Sequence, residues 1–175
     1  MKKKKIGISL LILIVLIAIG LGYISQKGVI PFETVDKAGG VRLDAPMSPL
    51  YAVVTNEDEL NQFLDKFGSV GRKVLREAIN FSEDEFKDYI LIFAYFGRAP
   101  AIGYEIEIKK IVQEKDIIKI TVQTKEPNFG LDMVTSPYHV VKVKKDDLMQ
   151  KDNLTFIFED IDRKELFRMG PYDIK

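Results

Sequence analysis

The sequence predicts an α+β domain, a mostly antiparallel curved sheet or open barrel with one or two helices, preceded by a single N-terminal transmembrane helix. Three observations predict it. Residues 2–5 are all lysine and precede 19 uncharged residues, Ile6 to Ile24, which as a helix reach roughly the 30 Å of a bilayer core. Residues 56–68 carry apolar side chains at helical spacing between a cap and a glycine. From Tyr89 onward, short apolar or alternating runs follow one another at hairpin distances, the pattern of successive antiparallel strands.

The lysines belong in the cytoplasm by the positive-inside rule, so the chain after Ser25 is expected outside the membrane. A cleaved signal has a shorter apolar region and a small-x-small site beyond it; here the small pairs, Ala18 with Gly20 and Gly20 with Gly22, lie inside the run. An uncleaved anchor over residues 1–24 is the preferred reading, with secretion after cleavage as the alternative. Residues 25–49 form a linker with a first strand over Val29–Val35. Leu50–Val54 is a short buried strand. Asn56 caps a helix, with Glu59 completing a capping box and Leu60, Phe63, Leu64 and Phe67 on one face up to Gly68. Val70–Ile79 is a weaker helix with Val74, Leu75 and Ala78 inward.

The run Tyr89–Phe96 is continuously apolar, as in a central strand covered on both faces. Ile102–Ile108 alternates, Lys109-Lys110 marks a bulge, and Ile117–Thr124 alternates again, so the two pair as a hairpin. Pro127–Ser136 is a loop, and Tyr138–Val143 and Leu154–Phe158 are strands. Residues 50–160 thus make one domain, and 161–175 read as a polar C-terminal tail.

Composition narrows the function classes. Four of the 26 basic residues are the anchor lysines, leaving 22 against 26 acidic ones. A mildly acidic domain without a basic run does not fit nucleic acid. Cysteine is absent, which removes disulfides, thiol nucleophiles and thiolate zinc sites. The single histidine, His139, lies three residues after Ser136 on an expected strand, where no orienting partner is visible, so it reads as structural. Carboxylates cluster at Glu83, Asp84 and Glu85 and at Glu159, Asp160 and Asp162; neither cluster has the glycine turn and distal glutamate of a calcium loop, and both read as solvated turns. Asn153-Leu154-Thr155 matches a short glycosylation sequon. No catalytic residue, metal ligand or cofactor is assigned, and the domain is read as non-enzymatic.

One stretch has a distinctive pattern. Gly97, Arg98 and Pro100 leave the apolar strand, Gly103-Tyr104 enters the alternating one, and after Pro127 the run Thr135-Ser136-Pro137-Tyr138 leads into Val140–Val143. Glycine and proline alone account for such a turn. The order of elements also resembles the C-terminal domain of the protease-complex subunit PrcB family, closely over about 50 residues, with Ala101-Ile102-Gly103-Tyr104 where the family has Thr-Gly-Gly-Tyr. The resemblance implies an exported protein that helps assemble or stabilise an exported protease, with Gly97, Arg98, Pro100, Gly103, Tyr104, Thr135, Pro137 and Tyr138 as the family-motif or partner-binding positions.

The expected function is therefore a membrane-anchored, extracytoplasmic protein-interaction domain of the bacterial cell envelope. Its partners are the membrane, through the N-terminal helix, and an exported protein such as a protease. Two alternatives stay open: a small-ligand binder or enzyme with a carboxylate pocket, and a component that binds cell-wall polymer. If the 97–104 loop is only a turn, Arg98 points to water. If it is a recognition edge, Arg98 is its anchor, flanked by Phe96, Pro100 and Tyr104.

Overall fold

The computed structural model describes residues 28–39, 44–129 and 131–174. The expected anchor at 1–24 lies outside them, and among the described residues no helix is long and apolar enough to cross a membrane. The strands are β1 (Glu33–Ala38), β2 (Leu50–Val54), β3 (Tyr89–Tyr95), β4 (Glu105–Glu114), β5 (Ile117–Lys125), β6 (Tyr138–Lys144), β7 (Leu154–Glu159) and β8 (Glu165–Tyr172), and the helices α1 (Glu57–Leu64) and α2 (Ser69–Ile79) connect β2 to β3.

The strands form two stacked sheets, not one curved sheet or an open barrel. The first runs β1-β6-β3-β2 and is wholly antiparallel; the second runs β4-β5-β7-β8, with β5 and β7 parallel. A barrel would require hydrogen bonding around a closed circuit. Here the chain crosses from the first sheet to the second after β3, returns after β5 and crosses again after β6, so each sheet keeps free edges.

β3 is the middle of this arrangement. Ile90, Ile92 and Ala94 face the second sheet, meeting Ile106, Ile108, Ile118, Ile120, Phe156 and Phe158 in one core. Leu91, Phe93 and Tyr95 face the helices, meeting Leu60, Phe63, Leu64, Phe67 and Leu75 in another. Period-two alternation sends side chains both ways, so a strand between two apolar layers must be apolar at every position, as 89–96 is. The result is three layers, helices on sheet on sheet. Tyr51 closes one side of the inter-sheet space by packing on Phe158 and Phe167, at ring distances of 4.9 and 6.1 Å.

The helices form where the capping chemistry places them. The Asn56 side chain accepts from the Glu59 N–H at 2.9 Å, and the Glu59 carboxylate reaches back to the Thr55 N–H at 2.7 Å, one residue before the position expected. α1 ends at Leu64 and Phe67 packs from the following turn, still buried. In α2 the buried positions are Gly71, Leu75 and Ile79; Ala78, expected inward, is exposed.

Three further expectations change. The first strand splits: Val29 bridges to Val112 on the edge of β4, and β1 proper begins at Glu33, paired with β6. The segment expected as a polar tail contributes β8, paired with β7, and ends on Ile174, which is buried. The strand holds because it is not wholly polar: Met169 and Tyr172 pack against the inter-sheet core, and the Phe167 ring lies on Tyr51. The 97–104 turn joins two sheets and not two paired strands, since β3 and β4 lie in different sheets. The bulge at Lys109-Lys110 is present as a register shift between Ile108 and Lys110 in the β4–β5 hairpin.

Phe93 is 3% exposed, with its ring 4.4 Å from that of Phe63. Phe93→Ala is expected to cost about 3–5 kcal/mol of stability; denaturant titration checks it, and an unchanged midpoint would contradict the two-faced burial of β3.

Candidate interaction surface

All strands of the first sheet, and the β4–β5 hairpin, run between two poles. At one pole lie the ends of β1, β3 and β5 and the starts of β2, β4 and β6. The connections there are 39–49, 96–104 and 126–137, and backbone hydrogen bonds join their described residues. Phe96 N–H donates to Pro137 O at 2.9 Å, Ala99 and Thr135 exchange bonds of 2.9 and 3.0 Å, Ile102 N–H donates to Leu131 O at 3.1 Å, and Arg98 N–H donates to Met47 O at 3.2 Å. Loops tied this way present fixed side chains from a rigid base.

The expected positions divide into a buried frame and an exposed rim. Thr135 and Tyr138 are buried, as are Gly97 and Pro137. The Thr135 hydroxyl donates to Ala101 O at 3.1 Å. The Tyr138 hydroxyl donates to the Asp36 carboxylate on β1; burial, and then this bond, push the phenol well above its usual range. Gly97 has φ +99 with Met47 O 2.4 Å from where a Cβ would sit, and Gly103 has φ +101 with Pro127 Cβ 2.8 Å away. Both conformations suit glycine alone. Tyr104 is half-buried against Phe96, ring centroids 5.4 Å apart. Pro100 is exposed.

Arg98 does not point freely to water. Its Nε donates to Ala45 O at 3.0 Å and its Nη2 lies 3.4 Å from Asp44 Oδ1. The guanidinium holds the 44–47 segment against the crossing loop, while the side chain remains partly exposed.

Most conspicuous at this pole are side chains that sequence reasoning passed over. Phe129 is 99% exposed, Met47 77% and Leu131 76%, with Met133 and Val134 about half exposed. Met47 and Leu131 are bonded to the crossing loop, and Phe129, Met133 and Val134 flank Leu131 and the bonded Thr135 in the chain, so with Pro100 they make up an apolar rim of this pole. The available signal was the apolar content of 129–134, read simply as loop. A contiguous exposed apolar patch marks an interaction surface more often than an ordinary one, and methionine and aromatic residues are enriched at interface centres.

His139 is placed by a different logic. It is 3% exposed and points from β6 toward the second sheet. Ile108 N–H donates to Nδ1 at 2.9 Å, so Nδ1 is unprotonated and Nε2–H faces the Thr34 hydroxyl at 2.9 Å. Both partners flank β-bulges, in β4 and β1. With both nitrogens engaged, the ring makes no bond to Ser136 and ties the sheets together. Desolvation, then the charge of Lys37, pull its pKa down to about 4. Nearby Glu107 is held down to about 2 by hydrogen bonds from Lys37 and Lys109.

The acidic clusters act locally. Glu85 accepts from Ser82 N–H and Oγ–H, each at 2.9 Å, Asp84 pairs with Lys87 at 2.7 Å, and Asp160 Oδ1 accepts from the Asp162 and Lys164 N–H groups. Among the described residues no group of three or more His, Asp and Glu side chains is placed to hold a metal ion. An open polar groove lies at the opposite pole, where Asn56, Glu57, Asp58 and Glu83 face Lys87.

The apolar rim stands on β3, β6 and the connections between them, and this is the part of the chain with known counterparts. Residues 90–144 match the PrcB C-terminal family model. The chain carries a PrcB C-terminal-like segment. The match runs from β3 through β6, includes all eight expected motif positions, and agrees with the resemblance read from the sequence. No curated protein and no solved structure matches the chain.

Two outcomes are expected. Gly103→Val should destabilise the fold by at least about 1–3 kcal/mol through backbone strain alone, with the contact at Pro127 adding to it, whereas Arg98→Ala should stay folded and lose about 0.5–1.5 kcal/mol; thermal unfolding of both separates a structural turn from a dispensable one. His139 gives a pH dependence. Its folded pKa near 4 lies below the unfolded value near 6.5, so its stability contribution is complete above about pH 6.5 and is lost as pH falls toward 4. His139→Gln should flatten stability across that window; an unchanged acid slope in urea titrations at stepped pH would contradict the buried neutral ring.

Proposed function

We propose that this protein is a membrane-anchored, extracytoplasmic interaction domain that serves as an accessory subunit to an exported protease. The carrying observation is the exposed apolar rim of Pro100, Phe129, Leu131, Met133 and Val134 on the PrcB C-terminal-like segment, with exposed Met47 beside it. Side chains of this kind, held on loops that hydrogen-bond one another, cost little further entropy on docking and fit recognition of a protein surface. The family description supports a protease complex as the setting. The lysine cluster before the uncharged run of 6–24 supports the anchor and its orientation. The domain itself is read as non-enzymatic: the sequence assigns no catalytic constellation, and the single histidine is engaged by Ile108 and Thr34.

The test has two parts. Protease added outside spheroplasts should digest the domain and spare the lysine end; a domain protected within the cytoplasm would reject the topology. Phe129→Ser combined with Leu131→Ser should keep the unfolding midpoint within about 0.5 kcal/mol, as exposed substitutions do, and lose at least ten-fold in recovery of the crosslinked partner. Undiminished recovery from this folded variant would remove the rim from the interface.

A further inference from the structure

The two poles differ in what reaches them. Gly28 O accepts from Gln113 N–H at 2.6 Å and Ile30 N–H donates to Ile111 O at 2.9 Å, so the chain joins the domain beside the β4–β5 turn. The apolar rim lies at the other end of the same hairpin, where Glu105 pairs with Lys125. The ten residues of β4 place these ends roughly 30 Å apart. Only residues 25–27 separate the expected anchor from Gly28, and three residues span at most about 10 Å.

We propose that the rim faces away from the membrane and docks an apolar protein surface bordered by lysine and arginine, on a partner standing clear of the bilayer. This rests on the anchored reading above and names the partner's chemistry. A leash of about 10 Å holds the near pole at the bilayer, and a domain standing on that pole carries the rim roughly 30 Å clear of it, which favours a protein over lipid as the occupant. Charge then selects among proteins. Beside the rim, Arg98 is engaged by Asp44 and Lys125 lies opposite Glu105 in the β4–β5 register. Glu126 and Asp132 are exposed and form no ion pair among the described residues. An apolar patch bordered by exposed carboxylates that pair with no described cation favours a basic border opposite, and such charges set partner choice and association rate more than total affinity. The same charges disfavour a second copy of this face, which would set carboxylates against carboxylates.

The experiment uses the full chain in intact cells, with a photocrosslinking phenylalanine derivative at position 129 or at position 115 beside the chain's entry, followed by mass spectrometry of the adducts. Position 129 should capture a protein through an apolar peptide flanked by lysine or arginine, and position 115 should capture lipid. Glu126→Lys with Asp132→Lys, shown to be folded by thermal unfolding, should lower the yield at position 129 about five-fold, the scale of two rim charges. Lipid at position 129, or protein in place of lipid at position 115, would overturn the polarity. A crosslink from position 129 to a second copy or to residues 1–27 would overturn the proposed occupant. A protein adduct indifferent to the charge reversal would overturn the basic border and leave the interaction reading standing. No protein adduct at position 129 would sink the interaction reading itself.

Discussion

Everything in this fold hangs on β3 being buried from both sides. A strand with Ile90, Ile92 and Ala94 on one face and Leu91, Phe93 and Tyr95 on the other cannot be satisfied by a single sheet face or by helices alone. It draws α1 and α2 onto one side and the β4-β5-β7-β8 sheet onto the other. Burial of each large side chain contributes on the order of 1.5–3 kcal/mol, so the strand nucleates two cores that meet only through its backbone and its neighbours β2 and β6. The crossing loops follow from this. The chain has to pass between layers, and three passages gather at the poles as connections longer than a hairpin turn.

The apolar rim depends on that geometry in turn. Where the crossing loops meet, their backbone groups satisfy one another, Ala99 with Thr135 and Ile102 with Leu131, as buried or half-buried peptide groups require. The motif residues Gly97, Gly103, Thr135, Pro137 and Tyr138 build this frame, and most of the residues displayed on it, Phe129, Leu131 and Met47, lie outside the motif, with Pro100 belonging to both. Recognition can therefore change at most of the rim without disturbing the residues that hold the loops.

Much of this was legible in the sequence. The eight-residue apolar run told of a doubly covered strand, Asn56 and Glu59 of a helix start, the break at Lys109-Lys110 of a bulge, and the glycine and proline pattern of the segment matched by the family model. Three things were not legible. Separation into two sheets depends on which strands pair, and the parallel β5–β7 contact bridges an excursion through the other sheet that local periodicity does not encode. β8 was hidden because its apolar residues, Leu166 and Phe167 side by side and then Met169 and Tyr172 across Gly170-Pro171, break the strict alternation by which a strand is read. The rim was hidden because apolar residues in a loop read as buried or as exposed with equal ease until their neighbours are known. His139 stands between these cases: its structural role was expected, but its two partners, Thr34 and Ile108, come from strands 105 and 31 residues away.

The attachment of Gly28 and Ile30 to the edge of β4 has a mechanical consequence. Tension on the N-terminal side of the chain meets hydrogen bonds in file, the Gly28–Gln113 bond first and then Ile30–Ile111, so they open singly, as a zipper does. Beyond them, β1 is held along its length by β6, and the load reaches the strand that carries the His139 tie. A modest pull is therefore absorbed at the Gly28–Gln113 bond, and further peeling is resisted where Ile30 is buried in the inter-sheet core with Phe32 packed beside it, so the loops at the far pole are reached last.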